Sequence, residues 1–170
     1  MTSDKHAETD AVFEQLFREY RRPMLNYIYR LVGDGAMAEE LTQHAFVKAY
    51  RALPRLPAEA NQRAWLYRIA TNACYDYLRR RRLVQWLPLL DRDGPTIIQK
   101  GPENPASQSD AVQRTLDQLA PSYRAVLILY SVEGYSTEEI SEMLGISQGA
   151  VKTRLCRARE RFRVAYGEEG

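Results

Sequence analysis

From Phe13 onward, apolar residues fall at Phe13, Leu16, Phe17, Tyr20, Met24, Tyr27, Ile28 and Leu31. Steps of three and four place them on one face of a helix. Pro23 lies inside this run; lacking an N–H and clashing with the preceding turn, it predicts a kink or a restart there. Gly33 closes the helix and Asp34 caps the next. That second helix carries Met37, Leu41, Ala45, Phe46, Ala49 and Tyr50 and stops near Leu53 and Pro54. Residues 54–60 read as a loop. Asn61 is placed to cap a third helix reaching Arg82, with Leu66, Ile69, Ala73, Tyr77 and Leu78 as its inward stripe. Three helices of this length can close one small core.

Residues 83–110 break the pattern. Asp93-Gly94-Pro95 and Gly101-Pro102-Glu103-Asn104-Pro105 have linker composition. The front of this stretch, Leu83 to Leu90, is apolar; packing back on the first helices and engaging a partner both fit it. Helical spacing then resumes. Val112, Leu116 and Leu119 form a short helix stopped by Pro121, and residues 123–132 are almost continuously apolar up to Gly134. Ser136-Thr137-Glu138-Glu139 is a capping box, in which Ser136 accepts from the Glu139 amide and the Glu139 carboxylate reaches back. Ile140 and Leu144 point inward on the helix it opens. Gly145 supplies a left-handed turn residue, Ile146 plugs the core, and Ser147 caps the last helix. The expected fold is all-α: two small helical domains, residues 1–90 and 111–170, joined by a flexible linker over 91–110.

Composition adds limits. A chain of 170 residues fits one or two small domains. It has no stretch near the roughly 20 apolar residues of a membrane span. The first ten residues are polar, without the apolar core of a secretion signal, so a cytoplasmic location is expected. Cys74 and Cys156 stand in no metal-ligand spacing and read as small buried or half-buried thiols. No Walker loop, metal cluster or nucleophile–base pair is present, so neither a cofactor nor an enzymatic reaction is expected. The net charge of +2 hides its distribution: residues 148–163 hold six Lys/Arg and one Glu, and residues 79–82 are four consecutive arginines. Such concentration suits a polyanionic partner.

The final two helices give that charge a geometry. Two short helices joined through a glycine form a helix-turn-helix. In the second, Val151, Leu155, Ala158 and Phe162 recur at helical spacing and face inward. Gln148, Lys152, Thr153, Cys156 and Arg159 lie on or beside the opposite face, behind the Ser147 cap. Arg154, Arg157 and Arg161 sit at its edges, where long side chains reach phosphates. The N-terminal end of such a helix enters the major groove, so Gln148, Lys152 and Thr153 are candidates for base edges and the arginines for phosphates. The plainer reading is a solvated amphipathic helix; the capping box, Gly145 and Ser147 weigh against it. In the first domain, Trp65, Tyr67, Arg68, Asn72, Tyr75, Arg79 and Arg80 mix aromatics with polar and basic groups. That mixture suits unstacked single-stranded bases, although the aromatics fit a core equally well.

These features, in this order, resemble the extracytoplasmic-function (ECF) sigma factors of bacterial RNA polymerase, and the resemblance spans nearly everything from Phe13 to Arg163. Residues 39–50 look like the polymerase-binding helix of sigma region 2. Residues 63–72 with 77–82 look like its strand-melting, minus-ten-reading helix. The segments 119–121, 132–136, 138–140, 144–147 and 151–160 look like region 4, which reads the minus-thirty-five element. The resemblance implies that Glu40 and Gln43 grip the polymerase clamp helices, with Phe46 and Lys48 on the same helix. His44 stands where the family is usually acidic, which weakens charge pairing and makes it sensitive to mild acid. It implies that the loop from Arg55 to Gln62 holds a flipped minus-ten base, with Asn61 and Gln62 as polar candidates. It places Asn72 at the upstream edge of that element, Tyr75 one turn on, and Trp65 near the melted strand. The implied partners are core polymerase, through its clamp helices and flap, promoter DNA, and an anti-sigma factor. Two rivals are weaker: an autonomous repressor would need a receiver or ligand domain in front, and an inactive decoy rests on His44 alone.

Overall fold

The computed structural model describes residues 2–86 and 108–169. Residues 87–107, and the side chains of residues 84–86, lie outside that description, and with them most of the apolar run and the linker.

Among the described residues the chain is helical throughout: α1 (Thr2–Val32), α2 (Gly35–Ala52), α3 (Gln62–Trp86), α4 (Gln108–Gln118), α5 (Pro121–Leu127), α6 (Thr137–Leu144) and α7 (Gln148–Glu169). α1 begins eleven residues before the apolar pattern does and continues through Pro23. The expected break is absent because Met24, Tyr27, Ile28 and Leu31 just beyond it are fully buried, and that packing outweighs one missing backbone bond. Gly33 takes a left-handed φ of 74°, and the Asp34 carboxylate accepts from the Met37 amide at 3.1 Å, so the turn into α2 is built as expected. A single 3₁₀ turn, Leu53–Arg55, ends α2, and the Asn61 side chain accepts from the Ala64 amide at 3.0 Å to open α3.

α1, α2 and α3 enclose a core of Met24, Tyr27, Ile28, Leu41, Phe46, Leu66 and Tyr67. The inward stripe of α3 differs from expectation. Tyr67 and Cys74 are fully buried, whereas Ala73, Tyr77 and Leu78 are only partly so. Tyr67 is therefore a core aromatic, not a surface available to a base. The Tyr27 and Thr71 hydroxyls hydrogen-bond at 2.8 Å inside this core. Burial pushes the Cys74 thiol up to about 12, so it stays protonated and inert. Cys156 is exposed on α7, not half-buried as its helical setting suggested.

The second domain packs α5, α6 and α7 around Val126, Leu129, Ile140, Met143, Val151 and Ala158. α5 passes directly into a π turn, Ile128–Val132, which widens the helix before Gly134 reverses the chain at φ 77°. Gly145 has φ 65°, and Ser147 accepts from the Ala150 amide at 3.1 Å. Half of the capping box is as expected: Ser136 accepts from the Glu139 amide at 3.1 Å. The Glu139 carboxylate, however, turns away to Arg63 in the other domain. The two domains are packed on each other, α6 against α3 and α4 and α5 against α1.

Candidate nucleic-acid interface

The exposed face of α7 is assembled as its periodicity predicts. Val151, Leu155 and Ala158 are buried and anchor the helix. Ser147, Gln148, Lys152, Thr153, Cys156, Arg157 and Arg159 are exposed, and Arg154 is half-buried. The Gln148 amide donates to the Thr137 hydroxyl at 2.9 Å, which fixes the start of α7 against α6. Arg159 lies over the Tyr130 ring at 4.8 Å and Arg161 over Tyr123 at 5.0 Å. These stacked guanidiniums keep their charge outward while their stems are held. Lys152, Cys156 and Arg159 also line a cleft of about 620 Å³ with Tyr130 and Thr137. The result is a rigid helix with an open cationic side.

The α3 candidates divide into two sets. Asn72, Arg79 and Arg80 are exposed, and Arg79 makes a 3.3 Å ion pair with Asp76 at the surface. Arg55 is exposed on the 3₁₀ turn. The other set faces the second domain. The Asn61 amide donates to Glu142 Oε2 at 2.8 Å, and Arg68 donates to the Glu142 carbonyl at 2.6 Å. That carbonyl belongs to the last turn of α6, which has no partner within its own helix, so Arg68 serves as a C-terminal cap from the other domain. The fit is close: a Cβ added at Gly145 would come within 3.3 Å of the Arg68 guanidinium. Gln62 and Trp65 are half-buried, Trp65 packed against the core. Tyr75 is half-buried too; its hydroxyl has no hydrogen-bond partner, and burial pushes it above its usual range despite the opposing charge of Arg154.

A third surface lies between α1 and α2. A groove of about 800 Å³ is lined by Phe13, Phe17, Arg21, Glu40, Gln43 and Phe46, among others. Phe13, Phe17, Phe46 and Tyr50 form a ring cluster, with Phe13 to Tyr50 and Phe17 to Phe46 both at 5.0 Å in edge-on contact. Of the five α2 candidates, Glu40, Gln43 and Phe46 border the groove, Phe46 as its nearly buried floor. His44 and Lys48 are exposed on the same helix but are not part of its lining.

Four residues between the domains escaped the sequence reading. Arg63 makes a 2.9 Å ion pair with Glu139 and lies over the Tyr135 ring at 5.0 Å. Tyr135 in turn stands edge-on to Tyr67 at 5.6 Å. Gln113 on α4 donates to the Arg30 carbonyl at 3.0 Å. Arg124 on α5, almost fully buried, donates to the Leu31 carbonyl at the end of α1 and to the Asp117 and Leu119 carbonyls at 3.1 and 3.0 Å. Burial lowers its pKa, and the Asp117 charge opposes that. Periodicity marks which residues are buried within an element; it carries no mark for a cation that satisfies the carbonyl end of another domain's helix.

Comparison with known proteins falls on the same two blocks. The profile of sigma-70 region 2 matches residues 16–84, and that of sigma-70 region 4 matches residues 109–162. The chain is 31% identical over 156 residues to the ECF RNA polymerase sigma factor SigE of Mycolicibacterium smegmatis, covering 89% of this chain and 60% of that one. It is 34% identical over 157 residues to the RNA polymerase sigma factor CarQ of Myxococcus xanthus, covering 92% of this chain and 90% of that one. In structure it is similar to the sigma factor RpoE of Bartonella quintana, solved in complex with the anti-sigma factor NepR. There the TM-score is 0.70 and the identity 26%, over 90% of this chain and 95% of that one.

Proposed function

This chain belongs to the ECF sigma factors of bacterial RNA polymerase, which direct core polymerase to specific promoters, and from that premise we propose which surface performs each task. α7 reads duplex DNA at the minus-thirty-five element, through Gln148, Lys152 and Thr153 to base edges and Arg154, Arg157 and Arg159 to phosphates, with Ser147 and Cys156 at the same face. α3 and the loop before it handle the opened minus-ten strand, through Arg55, Asn61, Gln62, Trp65, Arg68, Asn72, Tyr75, Arg79 and Arg80. The groove between α1 and α2 receives the polymerase clamp helices, with Glu40, Gln43 and Phe46 at the contact and His44 and Lys48 beside it. The flap is met by the second domain.

The observation that carries this reading is the pairing, in one chain, of a helix-turn-helix whose cations are open and a three-helix domain that presents an apolar groove beside carboxylates. Neither reader need bind tightly alone, because two weak sites held on one polymerase gain from effective concentration. The domain limits 1–90 and 111–170, with a linker over 91–110, follow from this division. Melting is driven by binding energy of flipped bases, so the protein acts as a binding subunit and not as a catalyst, and it works in the cytoplasm. The likeness to a sigma factor solved with an anti-sigma factor supports control of this chain by an anti-sigma factor. Run-off transcription with purified core polymerase on a genomic promoter library tests the whole reading. Discrete transcripts that require the protein are expected, and their absence at every promoter would sink it.

A further inference from the structure

We propose that Thr137 is a positioning residue for Gln148, its hydroxyl holding the Gln148 amide so that the chain prefers an adenine where the start of α7 meets the major groove. This rests on the reading of Gln148 given above and carries it from a base contact to a particular base.

Gln148 is the first residue of α7 and is exposed. An unrestrained glutamine samples many rotamers and must give them up on binding, so it discriminates poorly between bases. This one is restrained. Its amide nitrogen donates to the Thr137 hydroxyl at 2.9 Å. The support is itself firm. Thr137 is the first residue of α6 and half-buried, and the Ser136 cap, accepting from the Glu139 amide at 3.1 Å, fixes that turn. A β-branched side chain is also stiff at its first torsion, so the hydroxyl has few directions to choose from.

What remains of the amide selects the base. One N–H is taken by Thr137; the carbonyl oxygen and the second N–H have no other partner among the described residues. An acceptor beside a donor complements the major-groove edge of adenine, which presents its N6 amino group beside the N7 acceptor. Guanine presents two acceptors there and would face the glutamine oxygen with its own. Thymine offers one acceptor and a methyl, and cytosine one donor, so each meets only half of the amide. Arg159, on the same helix, is held differently, over the Tyr130 ring at 4.8 Å. A ring under a guanidinium places charge without selecting a hydrogen-bond pattern, which suits a phosphate. One support thus serves sequence and the other affinity.

The test uses the full chain assembled with core polymerase and a promoter found by run-off transcription, its upstream element randomised over about ten base pairs, one helical turn. Bound DNA is sequenced. The wild type should enrich adenine at a position whose preference Gln148→Ala erases. Thr137→Val removes the hydroxyl at nearly constant shape and should cut the advantage of adenine there about fivefold, the lower end of what a bidentate contact discriminates, with the other positions unchanged. Thr137→Ser keeps the hydroxyl and should restore it. Tyr130→Leu should weaken binding to all sequences alike. Should Thr137→Val lose helicity by circular dichroism, Gln148→Glu decides: a carboxylate only accepts, so the preference should move from adenine to cytosine, and adenine retained would overturn the assignment. An adenine preference that Gln148→Ala erases and a folded Thr137→Val keeps would overturn the role of Thr137 while leaving Gln148 as a base reader. A different base enriched at the Gln148 position would overturn the choice of adenine. A Gln148→Ala profile equal to the wild type would remove the reading of Gln148 itself and the inference with it.

Discussion

α3 and α7 both carry arginines beside aromatic rings, yet their polar sides meet different fates. α7 packs chiefly through the apolar side chains of Val151, Leu155 and Ala158 and leaves Lys152, Thr153 and Arg157 exposed. α3 is held from two directions. Its apolar residues Leu66, Tyr67 and Ala70 enter the first core, while Asn61, Arg63 and Arg68 are taken up by α6. A cation's availability is therefore set by what lies against its helix, not by the helix's own sequence. The difference also shows how two small domains can be docked mainly through helix ends. Arg68 satisfies the carbonyl end of α6, and Arg124 satisfies the carbonyl end of α1. Each domain supplies the cation that the other's helix terminus favours.

The largest way to break this arrangement is Arg124→Met. It removes donors from three carbonyls, one of them across the domain boundary. Buried acceptors left unpaired cost about 1–3 kcal/mol each, and part of that is recovered by the apolar side chain, so a loss of about 3 kcal/mol is expected. Thermal unfolding followed by circular dichroism measures it; an unchanged midpoint would show that those carbonyls find water once the guanidinium is gone. Next in size is Lys152→Ala with Arg157→Ala, which attacks the uncovered helix. Duplex affinity should fall about tenfold at moderate salt, and the slope of log K against log salt should shrink by about 1, the share of the Arg157 phosphate contact. Asn72→Ala comes third. It should slow open-complex formation several-fold, on the scale of one lost base contact, with polymerase binding unchanged. Permanganate footprinting and a polymerase pull-down read the two separately, and equal losses in both would indicate a folding defect.

The order of helices and the chemistry of their caps were legible in the sequence because both are local. Asp34, Asn61, Ser136 and Ser147 each accept from an amide three residues on, as their positions require. The open side of α7 was equally legible, since one periodicity sorts its apolar and basic residues. What was not legible depended on the neighbour. Met143 is fully buried although the α6 pattern singled out Ile140 and Leu144. Tyr67 counted among the candidates for base stacking and is core. Pro23 looked like a break and is carried through by the packing that follows it. Glu139 was assigned to its own capping box and pairs instead with Arg63. Residues 111–170 carry eight Lys/Arg and eight Asp/Glu, and that neutrality concealed an acidic α6 beside a basic α7. Charge counted over a domain averages away the alternation that docks one domain on the other.

The smallest predicted effect divides α3 itself. Its first turns make polar contacts with α6, whereas Arg79 and Arg80, near its far end, meet solvent. Arg79 pairs with Asp76 at 3.3 Å, with both side chains more than half exposed, a contact worth a few tenths of a kcal/mol at most. Arg79→Ala should therefore leave the melting midpoint within about 1 °C and the radius of gyration unchanged. If α3 tracks a strand along its length, the same change should reduce the salt slope of single-strand binding by about 0.7, the contribution of one phosphate contact.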